Sequence, residues 1–311
     1  MWFYGKCGMI NELMDRKRVL VLGASGMLGH VLFGTLSRRE ELDVHATCRS
    51  AAPLERAFPG DLLVRVHAGV SADDFRTVEQ ALGALRPDVV INCIGIIKQL
   101  AEAEDPLVAI PINALFPHRL AKACGAAGAR LIHLSTDCVF NGRKGNYTEE
   151  DPADAEDLYG RSKLLGEVTA PGCVTLRTSL IGHELSGGHG LLEWFLAQEG
   201  PVRGFARAIF SGFPTVEFAR ITAECIIPNP SLAGIYHVAS DPISKYDLLQ
   251  LVAGAYGKSV VIARDESFVC DRSLDADRFR AATGYRPPPW PELVRAMRKD
   301  AGTPQREETN E

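Results

Sequence analysis

Arg18-Val19-Leu20-Val21-Leu22-Gly23-Ala24-Ser25-Gly26-Met27-Leu28-Gly29 sets a short apolar run directly against a G-x-x-G-x-x-G turn. A run that is continuously apolar, with no polar alternation, suits a parallel strand covered by helices on both faces. Glycines at that spacing let the chain turn tightly, bring backbone N–H groups against a pyrophosphate, and open a helix that packs close to the strand. Purely structural turns use the same residues, so the spacing alone is weak evidence. Its place between a buried strand and an amphipathic helix makes Gly23, Ser25, Gly26, Met27, Leu28 and Gly29 candidate dinucleotide contacts.

Working outward, the same kind of run recurs as LDVHATC at 42–48, DVVINCIG at 88–95, ARLIHLS at 129–135 and CVTLRTSL at 173–180, with helix-length segments between. Strand and helix in alternation read as an α/β fold with a doubly wound parallel (Rossmann) sheet. After Leu180 the text becomes loop-rich and Gly-rich, which marks a smaller α+β substrate-binding region. We expect a dinucleotide-binding domain over 18–180 and a mainly substrate-binding region over 181–300. Within the latter, about 212–240, including GIYHVAS at 234–240, returns to the main domain, and a helix runs from about Lys245 to Tyr256. Residues 1–17 read as an N-terminal extension and 301–311 as a frayed tail.

With 311 residues, 46% hydrophobic and 23% charged, the chain can bury a full core. A net charge of -5 leaves no basic surplus for a phosphate backbone, so nucleic acid is not an expected partner. No run approaches the length of a membrane span. The eight cysteines are scattered, with neither a C-x-x-C pair nor zinc-finger spacing, and read as reduced thiols in a cytoplasmic protein.

At the end of the second strand an NAD site would carry an acid for the ribose 2′-hydroxyl. Here the strand ends Ala46-Thr47-Cys48-Arg49-Ser50, and Asp43 lies at the wrong end. Arg49 and Ser50 can hold a 2′-phosphate by charge-assisted hydrogen bonds, which favours NADPH over NADH; the competing reading of Arg49 is a solvated surface charge. Asn92-Cys93-Ile94-Gly95 ends another strand at the same sheet edge, making Cys93, Ile94 and Gly95 candidate cofactor contacts. Asn92 either serves the ligand or ties two strands together.

Tyr159-Gly160-Arg161-Ser162-Lys163 follows Ser135-Thr136-Asp137 at the end of the 129–135 run. Tyr159 and Lys163, four apart, share a helix face. An ammonium beside a phenol favours the phenolate, and so draws the pair toward proton transfer near neutral pH. Thr136 can reach the same oxygen from the strand end. Such a pair is common in ordinary helices, and the reading rests on its convergence with the glycine turn.

Together the glycine turn, Ser135-Thr136-Asp137-Cys138-Val139-Phe140-Asn141-Gly142, Tyr159 to Glu167 and Leu176-Arg177-Thr178-Ser179 resemble the extended short-chain dehydrogenases/reductases. The likeness is greatest to dTDP-4-dehydrorhamnose reductases and related nucleotide-sugar reductases, and it runs from about Arg18 to Lys299. It implies reduction of the keto group of a nucleotide-activated sugar, with hydride from a nicotinamide and a proton from Tyr159. Lys163 then lowers the Tyr159 pKa and holds the nicotinamide ribose, while Thr136 bonds the substrate oxygen. It further implies that Asn113 lies by the cofactor, that Asp137, Phe213, Pro214 and Thr215 touch the substrate, and that no metal is needed. Cys138 departs from the pattern: the reductases carry Tyr there, which weakens assignment to the rhamnose precursor, and the dehydratases carry Glu, which argues against dehydration.

Two other functions fit the same motifs: a 4-epimerase, and a catalytically silent NADP-binding regulatory subunit. A homodimer is compatible with the helical two-fold interfaces of the superfamily, which leave no separable residue signature. His133 reads as a packed core histidine. His183, His189, Arg203 and Arg207 are weaker phosphate candidates, Trp194 and Phe195 read as core or interface, and Glu149, Glu150 and Asp151 as a solvated turn.

Overall fold

The computed structural model describes residues 16–301. Most of the N-terminal extension, and the tail from 302, lie outside the described residues.

In chain order the strands are β1 (Lys17–Leu22), β2 (Leu42–Cys48), β3 (Val66–Ala68), β4 (Val89–Asn92), β5 (Arg130–Leu134), β6 (Cys173–Arg177), β7 (Leu180–Ile181), β8 (Val202–Phe210), β9 (Phe213–Pro214), β10 (Gly234–His237), β11 (Ile243–Ser244) and β12 (Ile262–Asp271). The helices that matter below are α1 (Gly29–Ser37), α2 (Phe75–Leu85), α3 (Phe116–Ala127), α4 (Leu158–Leu165), α5 (Thr215–Ile221), α6 (Lys245–Tyr256) and α7 (Trp290–Ala301).

Seven strands form one sheet in the order β10-β6-β5-β4-β1-β2-β3, every neighbouring pair parallel. The order reverses between β1 and β4, so the crevice beyond their carboxyl ends is the place where such a sheet binds its ligand. Side-chain alternation on β1 builds the two covering layers. Val19 and Val21 pack with Val31 and Leu32 of α1, Phe218 of α5 and Leu293 of α7. Leu20 and Leu22 face the other way, toward Val78 and Leu82 of α2 and Leu120 and Cys124 of α3. Burial on both faces is why these strands read as unbroken apolar runs.

The smaller region holds a three-stranded sheet, β11-β8-β12, with β8 and β12 parallel and β11 antiparallel, and the two-stranded pair β7-β9. Tyr147, Leu274 and Ala276 pack with Val139, Phe140 and Ala239 and close this region against the sheet end. No helix among the described residues is long and apolar enough to cross a membrane.

Two strands end earlier than their apolar runs. β4 stops at Asn92 because its side chain accepts the Ile94 N–H at 3.1 Å and bends the chain out of the sheet. The 173–180 run breaks after Arg177, where the Thr178 carbonyl receives the Asp137 N–H and the Ser179 carbonyl receives the Phe213 N–H; Leu180–Ile181 then pairs elsewhere. A π-helical turn over Ile110–Leu115 precedes α3 and has no signature in the residue pattern.

Candidate active site at the carboxyl edge of the sheet

Gly23 leaves β1 with φ +81°, and its N–H and that of Ala24 both donate to the Thr47 carbonyl, fastening the turn to the end of β2. Gly29 opens α1, and a Cβ there would come within 2.2 Å of the Gly23 oxygen, so only glycine lets the helix sit this close to the strand. No side chain caps the amino end of α1. Ser25, Gly26 and Met27 lie at the surface of the turn, whereas the Leu28 side chain is buried and leaves only its backbone to a ligand.

The Tyr159 helix is held from three sides. Asp157 caps α4, accepting the Gly160 N–H at 2.7 Å, and the same carboxylate takes the Lys98 ammonium at 2.6 Å. Burial works against the Asp157 charge, but these contacts win and hold its pKa below the ordinary value. A Cβ at Gly160 would strike the Cys138 carbonyl at 2.2 Å, so the Tyr159-Gly160 pair lets the helix press onto the 137–139 turn. On the third side Asn113, buried in the π-helical turn, accepts the Ile96 N–H at 2.9 Å and donates to the Ile96 carbonyl and the Ser162 hydroxyl. It binds the loop after β4 to α4.

Tyr159 is half-buried and Thr136 is buried, and the Thr136 hydroxyl is near enough to the phenol to favour its ionised form. Burial drives the phenol above its ordinary pKa, and the neighbouring Cys138 and Asp137 push the same way. Lys163 is held at the end of β5. Its ammonium donates to the Leu134 carbonyl at 2.7 Å, and burial lowers its pKa to about 8, opposed by Glu167 and Cys93. With its pKa raised by burial the phenol is neutral, the form that gives a proton.

Cys93 is half-buried beside Lys163, its thiol pushed up to about 12 by burial. Ile94 touches the turn, its Cγ1 standing 3.0 Å from the Cβ position of Gly23, and Gly95 lies 3.8 Å from the Lys163 Nζ when measured from its own Cβ position. Arg49 and Ser50 are exposed at the far side of the turn, and the Arg49 side chain has no hydrogen-bond or ionic partner among the described residues. These residues line one edge, with Tyr159 and Thr136 at its other end.

Phe213, Pro214 and Thr215 do not join them. Phe213 has no accessible surface and stacks edge-on against Tyr285 at 5.9 Å; Pro214 is buried, and Thr215 is 2% exposed beneath Gly182. These side chains face the core rather than the open edge of the site. Asp137 also turns inward, toward Arg272 and Lys245 rather than to an open surface.

Arg272, Lys245 and Lys98 reach the site from distant segments and carry no local sequence signal. The Arg272 Nε donates to the Phe140 carbonyl at 2.7 Å, which fixes the guanidinium near Asp137, Cys138 and Asp157. His133 is fully buried and meets Asn92 at 3.1 Å, so Asn92 does tie β4 to β5. His183 is held between Glu193 and Tyr256, and Arg203 pairs with Asp265. Phe195 is core, while Trp194 is partly exposed. Among the described residues no group of three or more His, Cys, Asp or Glu side chains could hold a metal ion.

A dTDP-4-dehydrorhamnose reductase of Streptomyces griseus is 37% identical over 153 residues, 49% of this chain and 44% of that one, so this match spans less than half of the relative. Methionine adenosyltransferase 2 subunit beta of Mus musculus is 26% identical over 275 residues, 81% of this chain and 76% of its own. In three dimensions, a dTDP-4-dehydrorhamnose reductase from Bacillus anthracis, solved in complex with NADP, superposes with a TM-score of 0.73 over 92% of this chain and 99% of its own; at 21% identity the likeness is one of fold. The family model described as the RmlD substrate binding domain runs over residues 17–301, taking in both the glycine turn and the Tyr159 helix, and on that extent the chain belongs to this family.

Proposed function

We propose that the protein reduces the keto group of a nucleotide-activated sugar, using NADPH in preference to NADH. The observation that carries the reading is the meeting of a neutral, half-buried Tyr159 with Thr136 at the end of the same sheet edge that bears the glycine turn. The uncapped start of α1, the close Gly29 seat and the unpaired Arg49 suit a dinucleotide with a 2′-phosphate. In this reading Gly23 to Gly29 cradle the pyrophosphate, Arg49 and Ser50 hold the 2′-phosphate, and Cys93 to Gly95 with Lys163 flank the nicotinamide ribose. Asn113 serves the cofactor indirectly, by holding the Ile96 loop. The nicotinamide supplies the hydride. Tyr159 gives its proton to the carbonyl oxygen as charge develops there, and Thr136 steadies that oxygen.

The test is NADPH oxidation against dTDP-, UDP- and GDP-linked keto sugars, and one substrate is expected to drive turnover. The similarity to a methionine adenosyltransferase subunit over four-fifths of the chain favours a second reading, an NADP-binding subunit that does no chemistry. NADPH binding without reduction of any keto sugar would put that reading first. A 4-epimerase would instead retain NAD tightly through purification.

Cofactor choice has its own expected result. Arg49→Ala removes the charge-assisted bonds to the 2′-phosphate and raises the Kd for NADPH by about tenfold to a hundredfold, with the Kd for NADH changed by less than about threefold. Equal losses for both cofactors in calorimetry would return Arg49 to a solvated charge.

We further propose a cytoplasmic homodimer. Leu107, Leu115 and Leu165 stand exposed on the helix before the π-helical turn, on that turn and on α4, an apolar face that a second copy would cover. Sedimentation is expected to give a dimer for the parent chain and a monomer for Leu165→Glu; a monomeric parent chain overturns the pairing.

A further inference from the structure

His45 and His67 lie on one face of neighbouring strands. In the parallel register His67 of β3 stands opposite Thr47, and His45 is two residues back along the same face of β2, so the two rings meet on the diagonal. The His45 Nδ1 and the His67 Nε2 are 3.1 Å apart, and both residues are half-buried, within reach of solvent. Behind His45 stands Asp43, its Oδ2 3.6 Å from the His45 Nε2 and its Oδ1 3.4 Å from the Arg65 guanidinium.

A carboxylate in that place favours the His45 tautomer with its proton on Nε2, which leaves the Nδ1 lone pair directed at His67. One ion bound at about 2.0–2.1 Å to each of two imidazole nitrogens sets those nitrogens about 2.8–3.4 Å apart, from right-angled to tetrahedral geometry. The observed 3.1 Å lies inside that span. The same distance suits a direct N–H···N bond, in which one ring proton lies between the two nitrogens. When an ion takes that place, the proton moves to the far nitrogen of the His67 ring and none is lost.

We propose that His45 and His67 bind one divalent cation of the Ni2+, Zn2+ or Cu2+ class, which fastens β3 to β2. Imidazole nitrogens favour these late first-row metals over Mg2+ and Ca2+, which take oxygen ligands. Asp43 faces the far nitrogen of His45 and so orients the ring rather than meeting the ion. Two side chains thus hold the metal, and water completes its shell. The site stands apart from keto reduction, because β2 and β3 close one end of the seven-stranded sheet while Thr136 follows β5, across the point where the strand order reverses. Its role is mechanical: β3 is three residues long and is the last strand of the sheet, and an ion shared by the two histidines ties it down.

The test is calorimetric titration of the untagged full chain with NiCl2 at about pH 7.5, above the ordinary imidazole range. One ion per chain is expected. His45→Asn and His67→Gln put an amide near the lost ring nitrogen, so each can keep a bond between the strands while removing the metal ligand. Each should weaken Ni2+ binding by about a hundredfold or more, and Asp43→Asn by about tenfold to a hundredfold. Saturating Ni2+ should raise the Tm of the parent chain by about 3 °C or more and leave that of His67→Gln unchanged. A parent chain that takes up neither Ni2+ nor Zn2+ overturns the proposal. So does binding that His67→Gln weakens by less than about tenfold, which would belong to the cysteines. Binding with no rise in Tm overturns the fastening. If His45→Asn does not fold, Cu2+ bound to the parent chain gives a second reading: its EPR spectrum should carry the splitting of two ring nitrogens, and a spectrum without nitrogen coupling overturns the site.

Discussion

Tyr159→Phe is expected to lower kcat for NADPH-dependent keto-sugar reduction by about a hundredfold to ten-thousandfold, the range a positioned general acid supplies. The helix around the residue should not move. Its cap comes from Asp157, its seat from Gly160 against the Cys138 carbonyl, and its far side from the Asn113 clamp, none of which uses the phenol oxygen. Phe keeps the ring and loses only the group that gives the proton, so KM and the Kd for NADPH should stay within about threefold while kcat collapses. Lys163→Met should behave differently, because its ammonium bonds the Leu134 carbonyl and flanks Gly95: we expect weaker NADPH binding together with slower turnover. A Tyr159→Phe enzyme with kcat within about threefold of the parent would remove the phenol from the chemistry and with it the reason to call the site a reductase.

How much of this was legible in the residues depends on whether the cause is local. The strand at 42–48 and the helix at 245–256 match their sequence boundaries because burial on both faces, or an apolar stripe ending at Gly257, writes itself into consecutive residues. The glycine turn is legible for the same reason: the clash a Cβ at Gly29 would make is with the Gly23 carbonyl, six residues before it in the same turn. The surroundings of Lys163 are less legible, although it is only four residues from Tyr159. Spacing tells that two side chains share a face, but not that a backbone carbonyl from another strand, Leu134, will claim one of them. Phe213 to Thr215 were carried over by resemblance to a motif, and only packing against Tyr285 and Gly182 tells that they face the core. Arg272 lies more than a hundred residues from Asp137, and no periodicity announces such a meeting. The π-helical turn at Ile110–Leu115 is hidden too, since what it accomplishes, delivering the Asn113 amide to Ile96 and Ser162, depends on two partners outside the helix.

Arg177→Met is expected to destabilise the fold by about 3–5 kcal/mol, the effect of leaving one partner of a buried ion pair uncompensated. Glu167 and Arg177 are each only 5% exposed and meet through two bonds, Nε to Oε1 at 2.8 Å and Nη2 to Oε2 at 2.7 Å. The pair is a junction between layers. Glu167 follows α4, Arg177 ends β6, Ser135 on the active-site turn donates to Glu167 at 2.7 Å, and the Arg177 Nη1 lies 3.2 Å from His237 on β10. Met fills the space of the arginine stem but leaves the carboxylate buried with the Ser135 hydroxyl for a bond and only the more distant Lys163 ammonium as a counter-charge. For a chain of this size the loss should lower Tm by on the order of 10 °C in calorimetry. Removing both charges in Glu167→Gln with Arg177→Met should recover part of it, because two neutral groups need less compensation than one stranded anion. The same junction sets an acid limit. Burial and the Arg177 charge hold His237 down to about 4, from 6.5, so the unfolded chain takes up the proton first as pH falls between those values and stability drops with it. In Arg177→Met that cation is gone, the His237 pKa rises toward its ordinary value, and the acid slope of Tm should flatten. A variant that melts within about 2 °C of the parent and keeps the parent's slope would mean that water reaches the pair, and that the layers are held by packing alone.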